Sequence, residues 1–369
     1  MAKAQVGSTE EARHKLAFDG QASAHISYSP HEKLTCFIGG RYLPQLAYTY
    51  NFKNRSTLHI EGAANIYGSA LFLPFDSLRI DGGIKPYRVW GRYAGKQYEI
   101  RIGLQKINFG TAMMLRSLQW FDKIDPRDPL TFTTGVYGAL GKYYFLNNAN
   151  IWAWILYGNG QTKGFEVLTN HAHIPEWGGR IQYPMSKGEI AATYHHRTAN
   201  SQNRQGVPTH RYIPENRYAL DGKWDIGIGL WFEAAYIHKT KKVGILTHQT
   251  YLTLGGDYTF NIGNGLQVTL EHLLSGYDEK AFAFEHTLNV SATSIVYPLG
   301  FFDRISTMAY YAWKSGKGSL FISYEHQFKR LAGYVMAYYN PDTSPAMGSA
   351  QYENSFSGPG IRLMLVYNH

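Results

Sequence analysis

Between positions 109 and 133 the chain reads FGTAMMLRSLQWFDKIDPRDPLTFT, with Arg116, Lys123 and Arg127 set against Asp122, Asp125 and Asp128. Three charges of each sign within thirteen positions can hold a fixed field across a small volume of water. Such a field orients polar solutes and sets ion preference. Pro126 and Pro129 stiffen the backbone. Met113, Met114, Leu115, Trp120 and Phe121 offer apolar surface to bury against a wall. A solvent-exposed loop would run to Ser, Asn and Gly instead. This composition predicts a packed, inward-folded constriction loop over 109–133; the alternative is a loop folded on itself above a rim.

Other chemistry is thinly represented. Cys36 is the one cysteine, which excludes an internal disulfide and a thiolate metal cluster. His195 and His196 are adjacent, so on a strand they face opposite sides. His171 and His173 could bind together, but no third ligand lies nearby in sequence. There is no GxSxG elbow and no HExxH, and the Gly-rich patches GNG and SGKG read as turns. The expectation is therefore no enzyme, no cofactor and no metal. The basic stretches HKTKK at 238–242 and NRQGVPTHR at 203–211 lack the aromatic interleaving that binds single-stranded nucleic acid. They suit gathering anionic solutes, or pairing with phosphates of lipopolysaccharide.

The elements that must position these groups are strands. No stretch approaches the ~20 apolar residues of a membrane helix, whereas the ten of NIWAWILYGN match a membrane strand. Alternation recurs almost everywhere. YEIRIGLQ sets Tyr98, Ile100, Ile102 and Leu104 opposite Glu99, Arg101, Gly103 and Gln105. TLHIEGAANIY, SLFISYEHQF, LQVTLEHLL and RLMLVY behave alike. The apolar faces carry Tyr, Trp or Phe near their ends, as aromatic girdles require, and the polar faces mix Gly, Ser, Thr and ions, as a watery lumen would. With 369 residues, 17% charged and 15% aromatic, the composition is unusual for a water-soluble enzyme.

Eight short connections, at 51–54, 93–96, 146–150, 184–189, 225–229, 261–265, 298–302 and 326–330, alternate with longer ones at 68–84, 109–133, 159–175, 199–214, 277–285 and 341–357. Short periplasmic turns and long outer loops define bacterial outer-membrane barrels. Eight turns join sixteen strands. The closing strand from Gly360 to His369 needs one more partner, which QASAHISYS at 21–29 can supply, giving about eighteen; sixteen follows if 21–40 plugs the barrel. Residues 1–19 read as a periplasmic extension without a signal-peptide pattern, and 20–369 as the barrel.

Alternation also assigns the lumen wall. Arg88, Arg92, Arg101, Lys142, Arg180, Arg197, Arg217, Lys223 and Arg362 point inward, as do Glu61, Glu99, Glu189, Asp221, Glu233, Asp257, Glu271 and Glu325. Bases dominate from Arg88 to Lys223 and only acids follow from Glu233 to Glu325, so a basic arc is expected to face an acidic one. Simple cross-strand ion pairing inside a closed barrel is the alternative, because one register slip turns side chains outward.

The phrases GLQKINFG and LRSLQWFDKIDPRDPL, followed by GVYGALGKYYF and NNANIWAWILYGN, resemble a family of outer-membrane porin-like barrels of Bacteroidota. That family is distantly similar to alginate-export and other eighteen-stranded channels. GRYLPQLAYTY and GGRIQYPMSKGEIAATYHHR extend the resemblance over most of 39–369. It implies a Gram-negative outer-membrane location, with lipid bilayer and lipopolysaccharide as surroundings. The function expected is passive transport of small hydrophilic, anionic or zwitterionic solutes. An export conduit for an anionic polysaccharide is the alternative, as is a scaffold barrel with protein partners in an outer-membrane complex.

Overall fold

The computed structural model describes residues 13–30, 35–73, 77–341, 356 and 358–369. Residues 1–12 of the expected extension and most of the 341–357 connection lie outside the described residues. The strands are β1 (His14–Ser29), β2 (Thr35–Asn51), β3 (Thr57–Leu73), β4 (Ser77–Ala94), β5 (Tyr98–Gln105), β6 (Val136–Tyr144), β7 (Asn150–Leu156), β8 (Thr169–Asn170), β9 (Glu176–Met185) and β10 (Gly188–Asn200). They continue with β11 (Ile213–Asp225), β12 (Gly229–Lys239), β13 (His248–Phe260), β14 (Leu266–Asp278), β15 (Thr287–Pro298), β16 (Asp303–Ala312), β17 (Lys317–Gln327), β18 (Leu331–Asn340) and β19 (Gly358–Asn368).

The two residues of β8 pair only with the tip of β10 and add no stave. The other eighteen strands pair antiparallel in chain order, and β19 returns to β1 with Gln21 opposite Asn368 and Tyr28 opposite Ile361. Backbone bonds between Gly20 and His369, at 3.1 and 3.0 Å, finish the seam. The result is a closed eighteen-stranded barrel with no free edge, the one arrangement besides a helix that satisfies every backbone amide in hydrocarbon.

Its two faces are the inverse of a soluble sheet. Ile102 is 62% exposed on the outside, and Ile361, Leu363 and Leu365 of the closing strand are half-exposed there. The inward residues of the same strands, such as Glu99, Arg362 and Met364, are buried. Exposed greasy side chains in a continuous band face acyl chains.

Two sequence-based boundaries move. Strand β1 begins at His14, so residues 14–19 are wall and not extension. Residues 68–73 and 77–84 are wall as well: β3 runs to Leu73 and β4 starts at Ser77. Gly82, Gly83 and Asp81 look like turn residues there, yet Leu78, Ile80 and Ile84 keep the outward alternation. The pattern then slips deliberately. Ile84 and Val89 both face out although five apart, because a bulge opposite Ala63 and Ala64 absorbs one residue. The bulge lets neighbouring Tyr87 and Arg88 both serve the interior, where the long loop meets them.

A charge on the outer band tests this orientation. Leu363→Arg, midway along β19, should cost about 2–4 kcal/mol of folding free energy in lipid vesicles, while Gln45→Arg on the inner wall should cost far less. Urea titration of vesicle-folded barrels, read by heat-modifiable mobility, distinguishes the two; equal losses would contradict the assigned faces.

Candidate functional site: the inward loop and the basic wall

Residues 106–135 join β5 to β6 and lie against the inner faces of strands far around the barrel. Two buried carboxylates clasp the loop backbone. Glu233 of β12 accepts the amides of Thr111 and Ala112 on Oε1, at 2.7 and 2.8 Å, and the Leu118 amide and Ser117 hydroxyl on Oε2, at 3.0 and 2.9 Å. Glu271 of β14 accepts the amides of Met113, Met114 and Leu115 at 2.6, 2.9 and 2.6 Å, together with the Trp231 indole at 3.1 Å. Between them the Thr253 hydroxyl donates to the Leu115 carbonyl at 2.8 Å. Bonds to an ionised acceptor contribute about 1.5–3 kcal/mol each. Gly110, at φ 94°, is required here, because a Cβ would overlap the Glu233 carboxylate.

Apolar packing completes the anchor. Phe109, Trp120, Phe121, Leu115 and Leu118 of the loop bury against Leu140, Trp154, Tyr251 and Leu273 of the wall. Phe121 meets Trp154 edge-on at 5.4 Å. The loop then turns along β17–β19, where Leu130 packs beside Met336 and Met364. Phe132 stacks on Tyr87 at 5.0 Å, under the Arg41 guanidinium at 4.0 Å, and Arg88 donates to the Thr133 carbonyl at 3.2 Å.

A second segment, 157–168, also enters the barrel, which sequence reasoning missed by reading 159–175 as an ordinary outer connection. The Gly164 amide donates to the Asp122 carbonyl at 3.2 Å, and a Cβ at Gly164 would overlap the Gln119 carbonyl. Glu166 joins Arg197 at 3.1 Å and Arg217 at 2.5 Å, within a buried cluster that includes Glu215 and Lys239. Phe165 stacks on Tyr251 at 5.6 Å. Polar, Gly-rich GNGQTKG resembles surface loop, and Phe165 with Val167 and Leu168 was the only hint otherwise.

The ions singled out in the sequence are mostly consumed by this packing. Asp125 and Arg127 pair with each other at 2.8 Å, both buried. Asp122 is 1% exposed and accepts the Lys123 amide at 2.7 Å; burial pushes its carboxyl above the usual aspartate range. Asp128 accepts the Leu130 amide at 3.0 Å and is shifted up for the same reason. Arg116 bonds Asn108. Lys123 is half-buried at the loop surface. On the wall, Arg180 forms a two-pronged pair with Asp221 at 2.6 and 2.8 Å. Asp257 is half-buried against Gly229 near the periplasmic end of β13.

The acidic arc therefore does not confront the basic arc across water. Glu233 and Glu271 are bound to loop amides, and Glu325 pairs with Arg304 beside it. Side-chain alternation placed these acids inward, but could not tell that a loop would occupy them. Elsewhere on the inner wall, basic side chains stay partly exposed around one acid. Arg92, Arg101 and Lys142 lie 3.8, 3.5 and 3.6 Å from the single carboxylate of Glu99. Trp90 backs Arg101 at 4.7 Å and Trp152 backs Lys142 at 3.7 Å. Beside the loop, a cavity of about 390 Å³ is lined by Asp19, Gln21, Gln45, Tyr87, Phe132 and Asn368, on the side formed by β1–β4 and β19.

A closed eighteen-stranded barrel with an apolar outer band and inward loops is an integral outer-membrane protein with the porin fold. No family model and no curated protein sequence matches this chain. Solved structures do. OccD3 (OpdP) of Pseudomonas aeruginosa superposes with a TM-score of 0.59 at 10% identity, over 96% of this chain and 91% of that one. OccAB4 of Acinetobacter baumannii gives 0.54 at 10% identity over 98% and 100%, and an anion-selective porin of Comamonas acidovorans gives 0.51 at 12% over 96% and 100%. At such identities the likeness establishes the fold.

Removing the clasp should free the loop. Glu233→Ala with Glu271→Ala leaves six backbone amides without their acceptors, at roughly 1–3 kcal/mol for each that stays buried. Single-channel conductance in planar bilayers should rise several-fold while the barrel remains folded; unchanged conductance would show that the loop is held by its apolar packing alone.

Proposed function

We propose that this chain is a passive outer-membrane channel in which the inward loop 109–133 narrows the lumen, and that the remaining opening passes small hydrophilic solutes with a preference for anions and zwitterions. One observation carries the charge preference: Arg92, Arg101 and Lys142 share the single acid Glu99, an excess of two positive charges on one stretch of wall. Fixed charge beside a narrow aqueous path raises the local concentration of the opposite ion. Arg41, over Phe132 beside the cavity, adds to the same sign. The porin of Comamonas acidovorans described as anion-selective shares this fold, which accommodates the reading without deciding it.

Each part of the loop has a role in this scheme. Its acids and bases neutralise one another or bond its own backbone, so they act by shaping the constriction more than by presenting charge. Reversal potentials in a salt gradient test the proposal. Replacing Arg92, Arg101 and Lys142 with Gln should lower the anion-to-cation permeability ratio several-fold, and Glu99→Gln should raise it. A triple variant that conducts with the original reversal potential sinks the assignment. A wild-type barrel that never opens would instead point to the polysaccharide conduit or the scaffold.

A further inference from the structure

The extracellular rim over β12, β13 and β14 collects nitrogen and oxygen donors that are far apart in sequence. His238 lies opposite His248, and His248 lies opposite Asp278, in consecutive cross-strand pairs. The His238 and His248 rings stack with centroids 4.8 Å apart and planes 13° from parallel. Residues 279–286 then fold back from the end of β14, and the donor atoms of Asp278, Glu285 and His286 all come within 4.8 Å of one another.

The spacing inside this group is informative. Asp278 Oδ1 and His286 Nδ1 are 3.4 Å apart, long for a hydrogen bond. The carboxylate is already aimed: its Oδ1 accepts the amides of Glu285 and His286 at 3.1 and 3.2 Å. These two bonds take up Oδ1 and orient the carboxylate, leaving its other oxygen, Oδ2, to bind. His248 is oriented too, with Nδ1 at 2.7 Å from the Tyr236 hydroxyl. It is engaged with Tyr236 and stacked on His238, outside the group of three. Mixed imidazole and carboxylate donors suit zinc, copper(II) or nickel(II) better than calcium or magnesium, which prefer oxygen alone.

We propose that this rim binds one divalent transition-metal ion through Asp278, Glu285 and His286, with its remaining coordination positions open to solvent. Glu285 and His286 are exposed, so the ion enters from outside the cell without crossing the barrel. Binding ties residues 279–286 to the top of the wall, where Phe282 already stacks on Tyr236 at 4.8 Å. The ion therefore stabilises the folded barrel by mass action. The site is separate from the lumen, and its behaviour is independent of conduction.

Calorimetric titration of tag-free, detergent-folded protein with zinc chloride tests the site, alongside visible absorption of the cobalt(II) form. One equivalent is expected to bind, with the intense bands of tetrahedral cobalt. Glu285→Gln and His286→Ala change exposed side chains and should leave the barrel intact while weakening zinc at least tenfold. His171→Ala with His173→Ala, elsewhere on the rim, should change nothing. The proposal is overturned if wild type takes up no zinc, if His286→Ala and Glu285→Gln bind as tightly as wild type, or if only the His171 and His173 pair matters.

Discussion

Hydrocarbon offers a backbone amide no partner, and that constraint organises the whole molecule. Every wall residue must hydrogen-bond to a neighbouring strand, and the last strand must find the first, as β19 finds β1. Closure sends alternate side chains to opposite solvents. One set, including Ile102 and Leu363, meets lipid, and the other encloses a polar interior that a loop can enter. All the chemistry of the interior follows from that division.

The interior has its own version of the same rule. A loop brought in from the rim carries amides that leave bulk water, and two wall carboxylates receive six of them. Burying Glu233 and Glu271 costs desolvation, which the convergent N–H groups offset. The loop is thereby bound to a distant part of the wall through its backbone, largely independent of its side-chain identities. Its aromatic side chains fill the space beneath, and the segment around Glu166 is tied by ion pairs over the top. One side of the barrel is consequently filled, and the polar cavity lies on the other.

This arrangement changes what the charges mean. Counting inward ions along the chain suggests opposed arcs of similar strength. After the loop occupies the acids and Arg180 pairs with Asp221, the exposed balance is set by the few ions left beside water. Arg92, Arg101 and Lys142 are among these, gathered around Glu99.

Strand alternation, girdle aromatics and turn residues were enough to read the closed barrel, its eighteen strands and its partner for the closing strand from the sequence alone. Period-two patterning is local, so it survives without knowledge of distant contacts. It failed at 68–84, where Asp81, Gly82 and Gly83 imitate a loop within strand, and at 14–19, which lacks a strong apolar run. The loop at 109–133 announced its unusual composition, but not which wall residues would hold it. Glu233 and Glu271 as amide acceptors, and Glu166 on Arg197 and Arg217, depend on register around a closed cylinder. Such contacts join residues dozens of positions apart, and only the tertiary structure decides them, because the energy of a buried ion rests on neighbours that its own segment does not contain.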